Sequence, residues 1–216
     1  MKIKAVIFDM DGVLVDSEIT YIHLWQTFLA ENGVSVSIAD LRFLAGSSRE
    51  IENQFLSKML HLSVREVEKK KKDFYQKHPI NYKNIQKPFS RQLLSFLKEK
   101  EIKIALASSS PMENIEEVLL QCDIYDFFSF LVSGEQFEKT KPDPQIYEYT
   151  VQQLGLEKEE ILVIEDSEYG ITSATSAGLT VIALLDPILQ FNVSKATYQI
   201  KTLKDAINII ERRNQL

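Results

Sequence analysis

The chain holds 216 residues, 44% of them hydrophobic and 26% charged, with a formal net charge of −6. This is the balance of a globular protein able to bury a core rather than of a disordered or membrane one, and the acidic sum argues against a general nucleic-acid footprint. No stretch approaches the ~18 consecutive apolar residues of a membrane span, and the opening MKIKAVIFDMDG puts acids where a secretory signal would carry its apolar run. A cytoplasmic monomer is expected, with no membrane or nucleic-acid partner. The length suits one large domain or a domain carrying an insertion. The one cysteine, Cys122, sits among Leu119, Leu120 and Ile124, the setting of a buried structural thiol.

In chain order, residues 3–8 (IKAVIF) form a short apolar run of the kind that makes a strand buried on both faces. From about 18 to 82 the pattern is helical. Tyr21, Leu24, Trp25, Phe28 and Leu29 follow the spacing of one apolar helix face, and Gly33 supplies a stop. In the same stretch Gly46-Ser47-Ser48-Arg49 reads as a helix start, with Ser47 or Ser48 capping and Arg49 solvated, while Lys69 to Lys72 reads as a solvated helix face. Helical patterns return at 91–100, 113–122, 144–154 and 203–213, between strand patterns at 103–107, 129–133, 161–164 and 180–184. Asp143 suits the cap of the third of these helices, Pro144 its first turn and Gly155 its end. The alternation implies α/β layers on a parallel sheet. Residues 1–17 and 83–216 are the expected core and 18–82 an inserted helical unit.

The polar residues that end the strands carry the chemistry. Asp9 and Asp11 follow the first strand, at the carboxyl edge where open α/β sheets bind ligands. Two acids in an ordinary turn at Gly12 is the competing reading, and a calcium loop fails because its sixth position is Leu14 rather than glycine. Ser108 to Ser110 follow the strand at 103–107, either as caps or as donors to phosphate oxygens. Lys141 precedes the Asp143 helix, either as a solvated loop residue or as a full positive charge added to a helix N-terminus. Glu165 and Asp166 end the strand at 161–164, where adjacent acids are costly unless a cation such as Mg2+ binds them. His23, His61 and His78 all fall in the helical stretch and read as surface or packing residues.

Taken in order, DMDGVLVDSE, a serine after a second strand, K-P-D-P and EDS resemble the four motifs of the haloacid dehalogenase-like superfamily, in the branch of β-phosphoglucomutases and phosphoglycolate phosphatases. The match spans essentially the whole chain. The resemblance implies a Rossmann-like parallel sheet ordered 5-4-1-2-3 with a helical cap inserted after the first motif. It implies Asp9 as a nucleophile that is transiently phosphorylated and Asp11 as general acid, then base. Ser108 and Lys141 would hold the transferring phosphoryl group, and Asp9, the Asp11 carbonyl, Glu165 and Asp166 would surround Mg2+. Ser109 and, from the cap, Arg49 and Tyr21 are the implied substrate contacts.

In β-phosphoglucomutases a cap-hinge histidine and a Lys-Asn pair help bind the sugar phosphate. Here Tyr21 aligns with that histidine, and Pro111-Met112 follow Ser110 where the pair would stand. The expected activity is therefore Mg2+-dependent hydrolysis of a small phosphorylated metabolite such as a sugar phosphate. β-Phosphoglucomutase is the alternative, and a catalytically silent phosphate-sensing module is a third reading. Residues 18–82 are expected to form a mobile lid over Asp9, hinged near Val15 to Ser17 and near Asn81 to Pro88.

Overall fold

The computed structural model describes residues 2–47 and 49–215. In chain order its helices and strands are β1 (Ala5–Phe8), α1 (Ser17–Glu31), α2 (Ile38–Leu41), α3 (Arg49–Leu60), α4 (Val64–Lys77), α5 (Ser90–Glu99), β2 (Lys103–Ser108), α6 (Met112–Gln121), β3 (Phe130–Ser133), α7 (Gln145–Leu154), β4 (Ile161–Glu165), α8 (Glu168–Ser176), β5 (Thr180–Leu184), β6 (Tyr198–Ile200) and α9 (Leu203–Gln215). They divide into two compact units, one of Met1–Asp16 with Tyr82–Leu216 and one of Ser17–Asn81.

The first unit is an α/β layer structure around a six-stranded sheet ordered β3-β2-β1-β4-β5-β6. Every pairing is parallel. All four residues of β1 and all five of β4 are buried, as strands covered on both faces must be. Five strands stand in the expected order. The sixth, β6, is a correction: only Ile200 of its three residues is buried, so it shows no apolar run. Helix α8 was also missed, because EYGITSATS is made of small and polar residues with no wide apolar stripe. At α7 the helix starts one residue later than expected, so Pro144 is its N-cap rather than part of its first turn, while Asp143 Oδ1 still accepts from the Gln145 N–H at 3.1 Å. Gly155 ends that helix in the left-handed conformation, φ 63°. Cys122 is buried, and burial pushes its thiol up to about 11.

Strand register is what assembles the site. Phe8 pairs with Leu106 on one side and Ile164 on the other. The next residues along β1, β2 and β4, which are Asp9, Ala107 with Ser108, and Glu165, therefore emerge together at one sheet edge. The Asp9 N–H donates to the Ile164 carbonyl at 3.0 Å, which holds the nucleophile candidate in register. Also within this unit, the chain before and after the insertion runs side by side: the Asp16 N–H bonds the Ile85 carbonyl at 2.7 Å and the Lys87 N–H bonds the Leu14 carbonyl at 2.8 Å. Lys87 Nζ adds an ion pair to Asp16 at 3.0 Å.

The second unit packs α1 to α4. Ile22, Trp25, Phe28 and Leu29 form the buried face of α1, and the Phe28 and Phe74 rings meet edge-on at 5.3 Å. Capping boxes start α2 at Ser37 with Asp40 and α4 at Ser63 with Glu66. Lys71 corrects the reading of Lys69 to Lys72 as a solvated face. It is buried between α3 and α4, paired with Glu52 and donating to Asn53 Oδ1 at 2.9 Å. Its three lysine neighbours are exposed. His23 and His61 are exposed, and His78 stacks on Phe74 at 4.3 Å. No helix among the described residues is long and apolar enough to cross a membrane.

Candidate active site

Lys141 is the hub. Its Nζ donates to Asp9 Oδ1 at 2.7 Å, Glu165 Oε1 at 2.7 Å and the Ala107 carbonyl at 3.0 Å, which uses all three ammonium hydrogens. The ammonium also lies 4.9 Å from the centre of the Tyr147 ring, and Tyr147 closes the circuit by donating its hydroxyl to Glu165 Oε1 at 2.9 Å. The solvated-loop reading of Lys141 is thereby replaced by a buried, three-way clamp.

Glu165, with no solvent exposure, is held on its other oxygen as well. Oε2 accepts from the Asp166 N–H at 3.0 Å, the Ser167 N–H at 3.2 Å and Ser167 Oγ at 3.1 Å. Two glycines make room for these acids. A Cβ on Gly170 would lie 1.6 Å from Glu165 Oε1, and one on Gly12 would lie 1.9 Å from Asp166 Oδ2. Gly12 also sits at φ 77°, a left-handed turn that other residues enter only with strain. Sequence reasoning found Lys141, Glu165 and Asp166 but missed Tyr147, Ser167 and Gly170. Tyr147 falls inside the helical pattern at 144–154 with nothing to single it out, and the two small residues carry no charge to flag them.

Asp9, Glu165 and Asp166 each offer a carboxylate oxygen, all within 4.8 Å of one another, and all three residues are buried. With Lys141 as the ammonium among them, three carboxylates leave an excess of two negative charges when ionised, in surroundings that solvate charge poorly. A hard divalent cation fits this set: the donors are oxygens only, and its charge matches the deficit. Burial holds the Asp9 carboxyl well above its usual range, against the pull of Lys141 and with Glu165 and Asp11 adding to the rise. For Lys141 burial acts downward, yet the charges of Asp9 and Glu165 win and keep it firmly an ammonium. Burial, and then Glu165, push the Tyr147 hydroxyl upward, so it acts as a donor.

The Asp11 side chain takes a different partner, accepting from Ser110 Oγ at 2.7 Å. Ser108 is almost fully buried at the end of β2, and its Oγ accepts from the Ser110 N–H at 3.0 Å. That is a local turn bond rather than a helix cap, since Pro111 is the N-cap of α6, and a hydroxyl that accepts in this way still has its own proton to donate. Ser109 is exposed in the same loop. Arg49 and Tyr21 belong to the helical unit: Arg49 is exposed at the start of α3, and Tyr21 stacks on Trp25 with ring centres 6.0 Å apart. Ser48, one of the two expected caps of that helix, lies outside the described residues.

Residues 6–184 match the family described as haloacid dehalogenase-like hydrolase. A phosphorylated carbohydrates phosphatase of Thermotoga maritima is 33% identical over 178 residues, covering 82% of each chain. A β-phosphoglucomutase of Bacillus subtilis is 28% identical over 189 residues, covering 84% of this chain and 83% of that one. Among solved structures, a Thermotoga maritima protein provisionally assigned as a β-phosphoglucomutase aligns over 98% of this chain and 99% of its own, with 27% identity and a TM-score of 0.82.

Proposed function

The chain belongs to the haloacid dehalogenase-like hydrolases, and from that premise we propose that it is a Mg2+-dependent phosphatase of small phosphomonoesters, phosphorylated carbohydrates among them, working through an aspartyl-phosphate on Asp9. The observation that carries this reading is the Asp9–Lys141–Glu165 clamp beside Asp166, a buried nucleophile with its counter-charge already in place.

An Asp9 carboxylate oxygen attacks phosphorus as the phosphorus–ester oxygen bond breaks, and a proton passes from the Asp11 carboxylic acid to the departing alkoxide. In the second half the Asp11 carboxylate takes a proton from water as the water oxygen attacks phosphorus. The bond to Asp9 breaks, its carboxylate is regenerated and inorganic phosphate leaves. Ser108 holds the phosphoryl oxygens with Ser109 beside it, and Lys141 neutralises their charge, turning one of its three resting hydrogen bonds toward them. Asp9, the Asp11 carbonyl, Glu165 and Asp166 would hold Mg2+, which supplies charge neutralisation at the phosphoryl group. The remaining substrate contacts are assigned to the helical unit, with Arg49 for a distal anion and Tyr21 for the substrate body.

Residues 18–82 act as a lid, with the paired linkers at 15–17 and 81–88 as the hinge. Protease cleavage in those linkers is expected to slow when Mg2+ and a phosphate analogue are added, and unchanged cleavage would count against the lid. A second reading, β-phosphoglucomutase, is favoured by the relative of that name. One experiment separates the readings: a Mg2+-dependent screen of phosphomonoesters that includes β-glucose 1-phosphate with a bisphosphate primer. Free phosphate released faster than glucose 6-phosphate forms supports hydrolysis. Isomerisation many times faster than phosphate release reverses the assignment, and no turnover of any ester, aryl phosphates included, leaves only a sensing module.

A further inference from the structure

Resting on the acid–base role proposed for Asp11, we infer that Ser110 is the positioning residue that aims the Asp11 carboxyl at the ester oxygen. Ser110 Oγ donates to Asp11 Oδ2 at 2.7 Å across 99 positions of sequence, an ideal length for a hydroxyl on a carboxylate.

The loop that presents Ser110 is tied down from both sides. Its N–H bonds Ser108 Oγ at 3.0 Å, and its carbonyl accepts from Ser133 Oγ, at the end of β3, at 2.8 Å. Ser133 Oγ in turn accepts from the Glu135 N–H at 3.2 Å, and Glu135 Oε2 receives the Met112 N–H at 3.2 Å. Gly134 lets the two backbones close: a Cβ there would stand 3.0 Å from Ser109 Cα. Ser133 is almost fully buried, so the anchor belongs to the packed sheet rather than to a solvated turn.

The consequence is directional. An aspartate carboxyl rotates over a broad, nearly two-fold range. A fixed hydroxyl on Oδ2 narrows that range to one orientation of the carboxyl, and it is from that orientation that the proton is exchanged with the ester oxygen, then with water. Ser110 itself neither gains nor loses a proton in the cycle. Its contribution is to geometry, on which proton transfer depends steeply.

The test is kcat/KM for phosphomonoesters whose leaving groups run from nitrophenolate to simple alkoxides, measured with Mg2+ on the wild type, Ser110→Ala, Ser110→Thr and Asp11→Asn, with melting temperatures alongside. Protonation matters most for alkoxides, so Asp11→Asn is expected to lose on the order of 10² to 10⁴ with alkyl esters and far less with nitrophenyl phosphate. Ser110→Ala is expected to copy that slope at about a tenfold loss with alkyl esters, the scale of one hydrogen bond to a charged group, while melting with the wild type. Ser110→Thr, which keeps the hydroxyl, is expected to recover most of the loss. A loss in Ser110→Ala that is uniform across leaving groups and confined to KM, or no loss while Asp11→Asn shows the slope, overturns the role of Ser110 and leaves Asp11 standing. A flat profile in Asp11→Asn removes the acid itself, and the inference with it.

Discussion

Gly170→Ala tests whether the Glu165 clamp holds this site together, because helix propensity and packing predict opposite signs there. Gly170 lies inside α8, where alanine normally stabilises by about 1 kcal/mol. Its new Cβ would stand 1.6 Å from Glu165 Oε1 and 2.0 Å from Cδ, whereas ordinary contact begins at 3.4 Å. The carboxylate must therefore retreat by nearly its whole hydrogen-bond tolerance, since Oε1 holds Lys141 at 2.7 Å and Tyr147 at 2.9 Å. Losing one bond to a charged donor and one to a neutral donor costs about 3 to 4 kcal/mol. Subtracting the propensity gain leaves a net destabilisation of about 2 to 3 kcal/mol. The urea midpoint should fall by about 1 M with an unchanged slope. Activity on nitrophenyl phosphate should fall at least as far as for a removed electrostatic donor, about 100-fold, because Lys141 loses one of its two anchoring carboxylates. Ser176→Ala, at an exposed position of the same helix, is the control and should be neutral or slightly stabilising. A Gly170→Ala protein as stable and as active as the wild type would show that the crowding around Glu165 has no consequence and refute this account of the site.

Asp9→Asn should abolish turnover and leave the fold intact, since it removes the proposed nucleophile at nearly constant shape. It should also change the pH dependence of stability in the EDTA-treated protein. The folded Asp9 carboxyl titrates above the unfolded value of about 3.9, so the stability it contributes is fully present below that value and is lost as pH rises through the folded pKa. Parallel wild-type and variant profiles by thermal melting would contradict this. Mg2+ at about 100 times its Kd should stabilise the wild type by about 2.7 kcal/mol, and Asp166→Asn should lose most of that gain; an equal rise in both proteins would argue against the carboxylate site. In the helical unit, Lys71→Ala should destabilise by about 3 kcal/mol by stranding Glu52, and Lys71→Met with Glu52→Leu should recover much of it. Trp25, the single tryptophan, lies in the helical unit and would report the urea transition there, and an unmoved midpoint would rule out the buried pair.

The core was legible because parallel strands buried on both faces leave unbroken apolar runs, and because the charged residues that follow them have few structural excuses. IKAVIF before Asp9 and ILVI before Glu165 marked both a strand and a candidate site residue in one reading. What was not legible shares a physical cause. Gly170 and Gly134 act by being small enough for two groups to approach, Ser133 by a hydroxyl that reaches the Ser110 carbonyl, and nothing in a linear pattern announces a contact made across the fold. Tyr147 reads as an apolar helix residue until its hydroxyl is seen on Glu165. Lys71 failed in the opposite way: a run of four lysines looks solvated as a block, yet helical geometry turns one of them inward, where Glu52 and Asn53 receive it.

The choice of acceptor turns on residues outside the clamp. On the proposed mechanism the clamp would form and hold the aspartyl-phosphate in the same way whether water or a sugar hydroxyl removes it. Transfer to a sugar needs a bisphosphate retained and turned over, hence extra donors to grip it. The loop after Ser110 is poorly equipped for that. Pro111 has no N–H, the Met112 N–H is already committed to Glu135 Oε2, and neither side chain carries a charge. Water needs no such grip, only a base that faces the phosphorus, the role proposed for Asp11, whose carboxyl Ser110 of the same loop holds. A loop that spends its donors on fixing its own shape favours the small acceptor over the large one, which is the physical ground for reading this chain as a phosphatase.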